Sequence, residues 1–258
     1  MNNKAPKQDK APAVQKQPSW YEGWSFILIF CLLLPLALRS FFYAPFHIPS
    51  GSMKPTLLIG DYIFVSKFAY GYSRYSLPFG PDVMEGRVFT KNHTPKRGDV
   101  VVFRLPTDPS VDYVKRLIGL PGDRIQVKDS ELYLNGQKVA HKKLPDFIDE
   151  DAEGNRTAIP AFRETLPGGV SYTVLNQLES GPLDNTPEYV VPPKHYFMMG
   201  DNRDNSQDSR VLSMVGYVPE ENLVGHAEII FFSLKQPFWQ VWHWFTGLRA
   251  ERFVQLVR

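Results

Sequence analysis

The rhythm of apolar and polar positions changes sharply along the chain. Residues 1–19 carry Lys4, Lys7, Lys10 and Lys16 against the single acid Asp9, with Pro, Gln and Asn between them. Such a stretch cannot bury enough apolar surface to order itself and reads as a disordered basic tail. Trp20-Tyr21-Glu22-Gly23-Trp24 then leads through Ser25 into an uncharged run, Phe26 to Leu38, closed by Arg39. From Gly23 to Leu38 this falls short of the roughly 20 residues that cross a bilayer as a helix. Aromatic belts extend it: Trp20, Tyr21 and Trp24 suit one interface, Phe41, Phe42 and Tyr43 the other. A helix apolar all round with aromatic ends rarely packs in a soluble core. The residues after it, Leu38, Arg39, Phe41 and Phe42, are too bulky for a small-x-small cleavage site, so the segment is expected to stay as an anchor over 20–43. The lysines ahead of it place the N-terminus in the cytoplasm and everything after Arg39 on the far side.

Beyond residue 45 the pattern belongs to strands. Asp61 to Phe68 is β-branched and aromatic, and Val100 to Phe103 is a continuous apolar run after Arg97-Gly98-Asp99. Residues 69–97 are rich in Tyr, Gly, Ser and Pro and read as a long loop. Val111 to Ile118 alternates, with Gly119-Leu120-Pro121-Gly122-Asp123 ending it. Arg124–Val127 and Leu132–Leu134 are further strand candidates, and Asn135-Gly136 is a strong tight-hairpin signal. From about Ala140 to Pro192 short strand candidates such as 170–175 are interrupted by Gly, Pro and the acidic cluster Asp146, Asp149, Glu150, Asp151 and Glu153, so 141–192 is read as an inserted smaller lobe. Leu223 to Leu234 is a last core strand. The predicted architecture is mainly β: a basic tail (1–19), a transmembrane helix (20–43), an antiparallel β-core (44–140 and 193–235), the inserted lobe (141–192) and an aromatic and basic C-terminal tail (236–258). In that tail Trp239, Trp242, Trp244 and several arginines fit a lipid headgroup layer or packing against the core.

Composition narrows the function classes. With 29 Lys+Arg and 27 Asp+Glu in 258 residues the net charge is +2, and no basic stripe with interleaved aromatics indicates a nucleic-acid partner. The one cysteine, Cys31, lies inside the apolar segment, so no disulfide or cysteine metal ligand is available to the remainder. His47, His93, His141, His195, His226 and His243 are scattered, and neither a Gly-x-Ser-x-Gly elbow nor a Ser-x-x-Lys motif occurs, which disfavours a histidine triad or a penicillin-binding type of site.

Chemistry is carried by a few stretches. In Ile48-Pro49-Ser50-Gly51-Ser52-Met53-Lys54-Pro55-Thr56-Leu57, prolines exclude a regular ladder and Gly51 allows a sharp turn. Hydroxyls and backbone N–H groups can converge there as an activated nucleophile with an oxyanion hole, or the stretch is an ordinary loop leaving the anchor. Alternation in 111–118 puts Lys115 beside Val111, Tyr113 and Leu117. Its ammonium either snorkels to water or is held inside, where desolvation makes the amine a general base. A free lysine is neutral in roughly one molecule in a few thousand at pH 7, so the second role needs a pKa about 3 units lower. The run Gly200 to Arg210 is the densest polar constellation. As a calcium loop it fails, having Ser206 where an EF-hand needs Gly and Leu212 where it needs Glu. It is a set of self-capping Asx turns, or a support in which Ser206 bonds a buried lysine and Asp208 pairs with Arg210.

Four stretches taken together resemble bacterial signal peptidase I: Ser50–Thr56, Arg97–Phe103, Asp112–Asp123 and Gly200–Arg210, in that order. The resemblance implies a membrane-anchored, largely antiparallel β-structure that cuts signal peptides from exported precursors after small residues at −1 and −3. It implies Ser52 as nucleophile, Lys115 as general base, Ser50 and the Ser52 N–H as oxyanion hole, and Ser206, Asp208 and Arg210 as supports. Arg116 matches a further family position, and Phe46, Ile48 and Val114 match the apolar substrate cleft. No metal or cofactor is implied. The implied partners are signal-peptide-bearing precursors, the phospholipid membrane and the export machinery, and the implied location is the bacterial inner membrane with the catalytic part outside the cytoplasm. One recognisable anchor stands where the enterobacterial pattern has two. A self-cleaving repressor would share a serine–lysine dyad but would carry a helix-turn-helix in place of the anchor. An anchored β-domain that only binds exported proteins would need neither Ser52 nor Lys115.

Overall fold

The computed structural model describes residues 20–76, 86–90, 93–150, 154–178, 180–236, 240 and 247–258. The basic tail and Trp239, Trp242 and Trp244 lie outside these residues. The apolar run is helical: α1 spans Trp20–Phe41 with Arg39 in its last turn. Its apolar side chains from Ile27 to Leu38 that are described are exposed, Leu32 at 71%. No helix is long and apolar enough to cross a membrane among the described residues, and the side chains of Trp20–Glu22, Ser25 and Phe26 fall outside them. The membrane span therefore remains an expectation from the sequence. All strands belong to the second of two compact units, Leu38–Arg258; most of α1 belongs to the first, Met1–Ala37.

The runs at 61–68, 100–103, 111–118, 124–127, 132–134, 170–175 and 223–234 form strands, and shorter ones arise besides, including a pair at 72–73 and 87–88 inside the stretch read as a loop. First come β1 (Tyr43–His47), β2 (Asp61–Ser66), the short pair β3 (Tyr72–Ser73) and β4 (Arg87–Val88), then β5 (Val100–Leu105) and the long β6 (Asp108–Gly119). There follow β7 (Arg124–Lys128), β8 (Glu131–Leu134), β9 (Gln137–Lys138), β10 (Ala140–Lys143), β11 (Phe147–Glu150), β12 (Arg156–Ile159), β13 (Ala161–Thr165), β14 (Ser171–Leu175) and β15 (Tyr189–Val190). The chain ends with β16 (His195–Met199), β17 (Val218–Pro219), β18 (Leu223–Ser233) and β19 (Gln255–Leu256).

An eight-stranded antiparallel sheet runs β1-β2-β18-β5-β6-β16-β17, with β19 on β18. Ile63, Val65, Val100, Val102 and Ala227 share one apolar cluster with Ile48, and both Phe46 of β1 and Val114 of β6 pack against it. Strands so far apart in the order can meet one cluster only if the sheet curls, as strongly twisted sheets do. Among the described residues β1 pairs with β2 alone and β6 meets β16 only over Arg116–Gly119, so β1 and the first part of β6 present unpaired edges.

The hairpin of β7 and β8 joins β9 and β15 in a second, four-stranded sheet, β15-β7-β8-β9. Alternation and turn residues identify a hairpin but do not say which sheet receives it. Asn135-Gly136 makes the tight turn between β8 and β9, both residues at positive φ (+53° and +78°), the backbone that favours this pair. The smaller sheets share a core with the large one: Ile125, Val127, Tyr172 and Val174 pack with Phe197 and Met199 of β16. Near the chain's end, Arg252 and Arg249 reach the fully buried Asp61 at 2.6 and 3.5 Å, so these two arginines serve packing against the core.

Candidate active site

The stretch after β1 is a succession of turns, as its Pro, Gly and Ser content dictates. Its ends are tied together by Ile48 N–H to Asp61 O and Gly60 N–H to Ile48 O, both 2.9 Å. Met53 and Leu57, at 1% and 0% exposure, pin it to the core. Ser52 therefore sits on a fixed loop, itself 8% exposed. Asn202 fastens the loop from below: its N–H donates to Ser52 O and its Nδ2 to Gly51 O, both at 3.1 Å. The Ser52 N–H donates no hydrogen bond among the described residues. Ser50 Oγ lies 3.4 Å from Ser52 Oγ.

Lys115 is buried, not snorkelling, at 4% exposure. Its Nζ donates to Ser52 Oγ at 2.7 Å and to Val114 O at 3.1 Å. Burial is the main reason its pKa falls to about 8; the Asp208 and Asp201 carboxylates pull it back up and the Arg210 guanidinium adds to the lowering. At that value about one molecule in ten carries a neutral amine at pH 7. The pair stands in a cleft of about 550 Å³ whose walls include Phe46 and Ile48 from β1 and its following turn, Val114 from β6, and Ser206.

The loop after β16 supplies the support. Ser206 Oγ donates to Asp208 Oδ2 at 2.8 Å, and Arg210 grips both oxygens of the same carboxylate at 2.8 Å. Among the described bonds Ser206 thus pairs with Asp208 and not, as the sequence suggests, with Lys115, though Ser206 and Lys115 both line the cleft. Burial would raise the Asp208 pKa, and Arg210 with the Gly200 N–H and Ser206 hydroxyl overcomes this, holding it below the usual carboxylate range. The acids of this run have separate partners: Asp201 takes Arg116, and Asp204 accepts the Gln177 and Leu178 N–H groups.

The match to a family position gives Arg116 no role, and the contributions of Gly200 and Lys54 are set by contacts distant in the chain. Arg116, completely buried, forks onto Asp201 at 2.8 and 2.6 Å and stacks over Tyr172 with Cζ 4.2 Å from the ring centre. It points away from Lys115, as adjacent residues in a strand must. Gly200 is needed for close approach, since a Cβ there would lie 2.2 Å from Ser206 Oγ and 2.6 Å from Ser52 O. Lys54, two residues after Ser52, is clamped by Asp149 of β11 at 2.6 Å. All three residues fall inside the stretches that resemble the family, but sequence proximity does not reveal their partners Asp201, Ser52 and Asp149.

Comparison with known proteins follows the same lines. Residues 20–232 match the family described as signal peptidase, peptidase S26. The chain is 44% identical over 223 residues to a signal peptidase I of Rickettsia typhi, covering 83% of this chain and 81% of that one. It is equally similar to a signal peptidase I of Rickettsia prowazekii, 44% over 226 residues, covering 84% and 82%. A crystal structure of a signal peptidase I from Enterococcus faecalis is 28% identical, covers 52% of this chain and 96% of its own, and superposes with a TM-score of 0.30.

Proposed function

Because the chain belongs to the signal peptidase family, peptidase S26, we propose that it is a membrane-anchored serine endopeptidase that uses Ser52 and Lys115 to remove signal peptides from exported precursors. The observation that carries this reading is the 2.7 Å bond between a buried Lys115 amine and Ser52 Oγ. The neutral amine takes the hydroxyl proton as Oγ attacks the scissile carbonyl. The oxyanion that forms is met by the uncommitted Ser52 N–H and the Ser50 hydroxyl. Lys115 then hands its proton to the leaving amine, and a water activated by the same lysine releases the acyl-enzyme. Phe46, Ile48 and Val114 favour an apolar substrate with small residues at −1 and −3. An anchor over 20–43 would hold the cleft near membrane-embedded substrates and raise their local concentration. The N-terminus would then be cytoplasmic and the catalytic part extracytoplasmic.

The test is cleavage of a membrane-presented precursor with an Ala-x-Ala site by the full chain. Cutting at that site is expected, with kcat/KM rising about tenfold per pH unit below 8 and levelling above it, since only the neutral amine works. A flat profile from pH 6 to 9 would exclude Lys115 as the base. Retention of cutting by Ser52→Ala would exclude the nucleophile, and binding without cutting by the parent would favour a scaffold. Gly200→Ala tests the support: it pushes Ser206 and the Ser52 carbonyl apart and is expected to lower kcat on the order of 10²-fold. An unchanged kcat would show that this close approach does not position the dyad.

A further inference from the structure

At one end of the curled sheet, charged side chains terminate rows that are otherwise apolar. The N–H of Lys67 donates to Phe42 O at 2.8 Å, extending the β1–β2 ladder by one residue. Alternation therefore sets Lys67 on the face of Ile63 and Val65, and it is only 8% exposed. In β5 the same alternation sets Arg104 on the face of Val100 and Val102, and in β6 it sets Asp112 on the face of Val114. All these apolar neighbours belong to, or pack against, one cluster. Arg104 Nε is 3.3 Å from Asp112 Oδ1. No hydrogen bond or ion pair reaches Lys67 Nζ among the described residues. Burial first, then the nearby Arg39 and Arg104, push the Lys67 pKa down to about 8, and Asp112 alone opposes them. Lys67 thus meets two like charges, Arg39 and Arg104, and one carboxylate, which Arg104 already engages. The stem of Lys67 is buried while its amine, without a hydrogen-bond partner, reaches the surface, and gathering like charges around such an amine is unfavourable unless an anion completes the group.

We propose that Arg39, Lys67 and Arg104 form a binding site for a phosphate-bearing anion, where the chain passes from the last turn of α1 into β1. Arginine forks and a lysine point charge suit a tetrahedral group of oxygens. An arriving anion would give Lys67 the partner it lacks and leave Asp112 with Arg104. Lipid headgroups and inorganic phosphate share this chemistry. The lipid source follows if α1 lies in a bilayer, because Arg39 comes directly after the apolar run and so falls at headgroup depth. The site stands whether or not Ser52 is the nucleophile.

The experiment is calorimetric titration of the full chain in neutral detergent, with inorganic phosphate and separately with monomeric dihexanoyl phosphatidylglycerol, at matched ionic strength. Saturable binding of at least one probe is expected. Lys67→Met should weaken it at least tenfold, and Arg39→Gln, at an exposed position, several-fold. Thermal melts establish that both variants fold. Binding of the glycerophospholipid alone would identify a headgroup site, and equal binding of both probes a small-anion site. No saturable binding of either probe, or binding unchanged in both variants, would overturn the proposal.

Discussion

Lys115→Met is expected to abolish cleavage, by on the order of 10⁴-fold or more, and at the same time to make the protein more stable. The two effects have one origin. The folded state holds the Lys115 pKa at about 8, whereas in the unfolded chain it is about 10.4. Below pH 8 the folded protein carries a buried ammonium it would rather not have, at a cost of about 3 kcal/mol. Between pH 8 and about 10.4 the unfolded state binds the extra proton, so stability of the parent rises with pH through that window. Methionine has nearly the same shape and no charge to bury. Denaturant unfolding at pH 7 should therefore show the variant more stable by about 1–3 kcal/mol, with the pH-dependent rise missing. Ser52→Ala should be just as inactive but keep the rise. An inactive Lys115→Met with the parent's stability and pH dependence would mean that the lysine is not strained by burial. Retained activity would mean that the base lies elsewhere.

Arg116→Ala is expected to cost about 3–5 kcal/mol of stability, because it strands Asp201 in the interior without its counter-charge. Asp201 is 1% exposed, and besides Arg116 it has the Thr56 hydroxyl at 2.5 Å. Arg116 also donates to Gly98 O at 2.8 Å, so β6, the Arg97–Asp99 turn and the supporting loop loosen together. The double variant Arg116→Met/Asp201→Leu should be less damaging than Arg116→Ala alone, since it removes both charges and refills the space. Denaturant midpoints for the set decide it. A single-variant cost under about 1 kcal/mol would show that the pair is not the buried keystone its geometry describes.

The division between what the sequence reveals and what it hides follows physical lines. Strands at 61–66, 100–105 and 108–119 are legible because β-branched and apolar runs are local features. Ser52 and Lys115 are legible because a turn with a serine and a lysine among apolar neighbours are local as well, and four ordered motifs bring them together. Arg116 is marked by its match to a family position, but its pairing with Asp201, 85 residues away in the chain, has no local trace. Gly200 is invisible for a related reason: its need for a missing Cβ is set by Ser206 and by Ser52 O, and the latter comes from the far end of the core. The turn at Asp129 and Ser130, both at positive φ (+48° and +64°), carries no glycine to announce it.

If the proposed substrate adds as a strand to the edges along β1 and the first part of β6, unpaired among the described residues, those edges would select which polypeptides can be cut. A ladder partner must present unengaged N–H and C=O groups on both sides. A regular helix already uses its own N–H groups within itself, and a folded domain uses most of its own in sheets and helices. Small residues in such settings give the cleft nothing to hold. Mature exported proteins would thus be spared by their folding, and a precursor would be vulnerable only while its junction remains unwound.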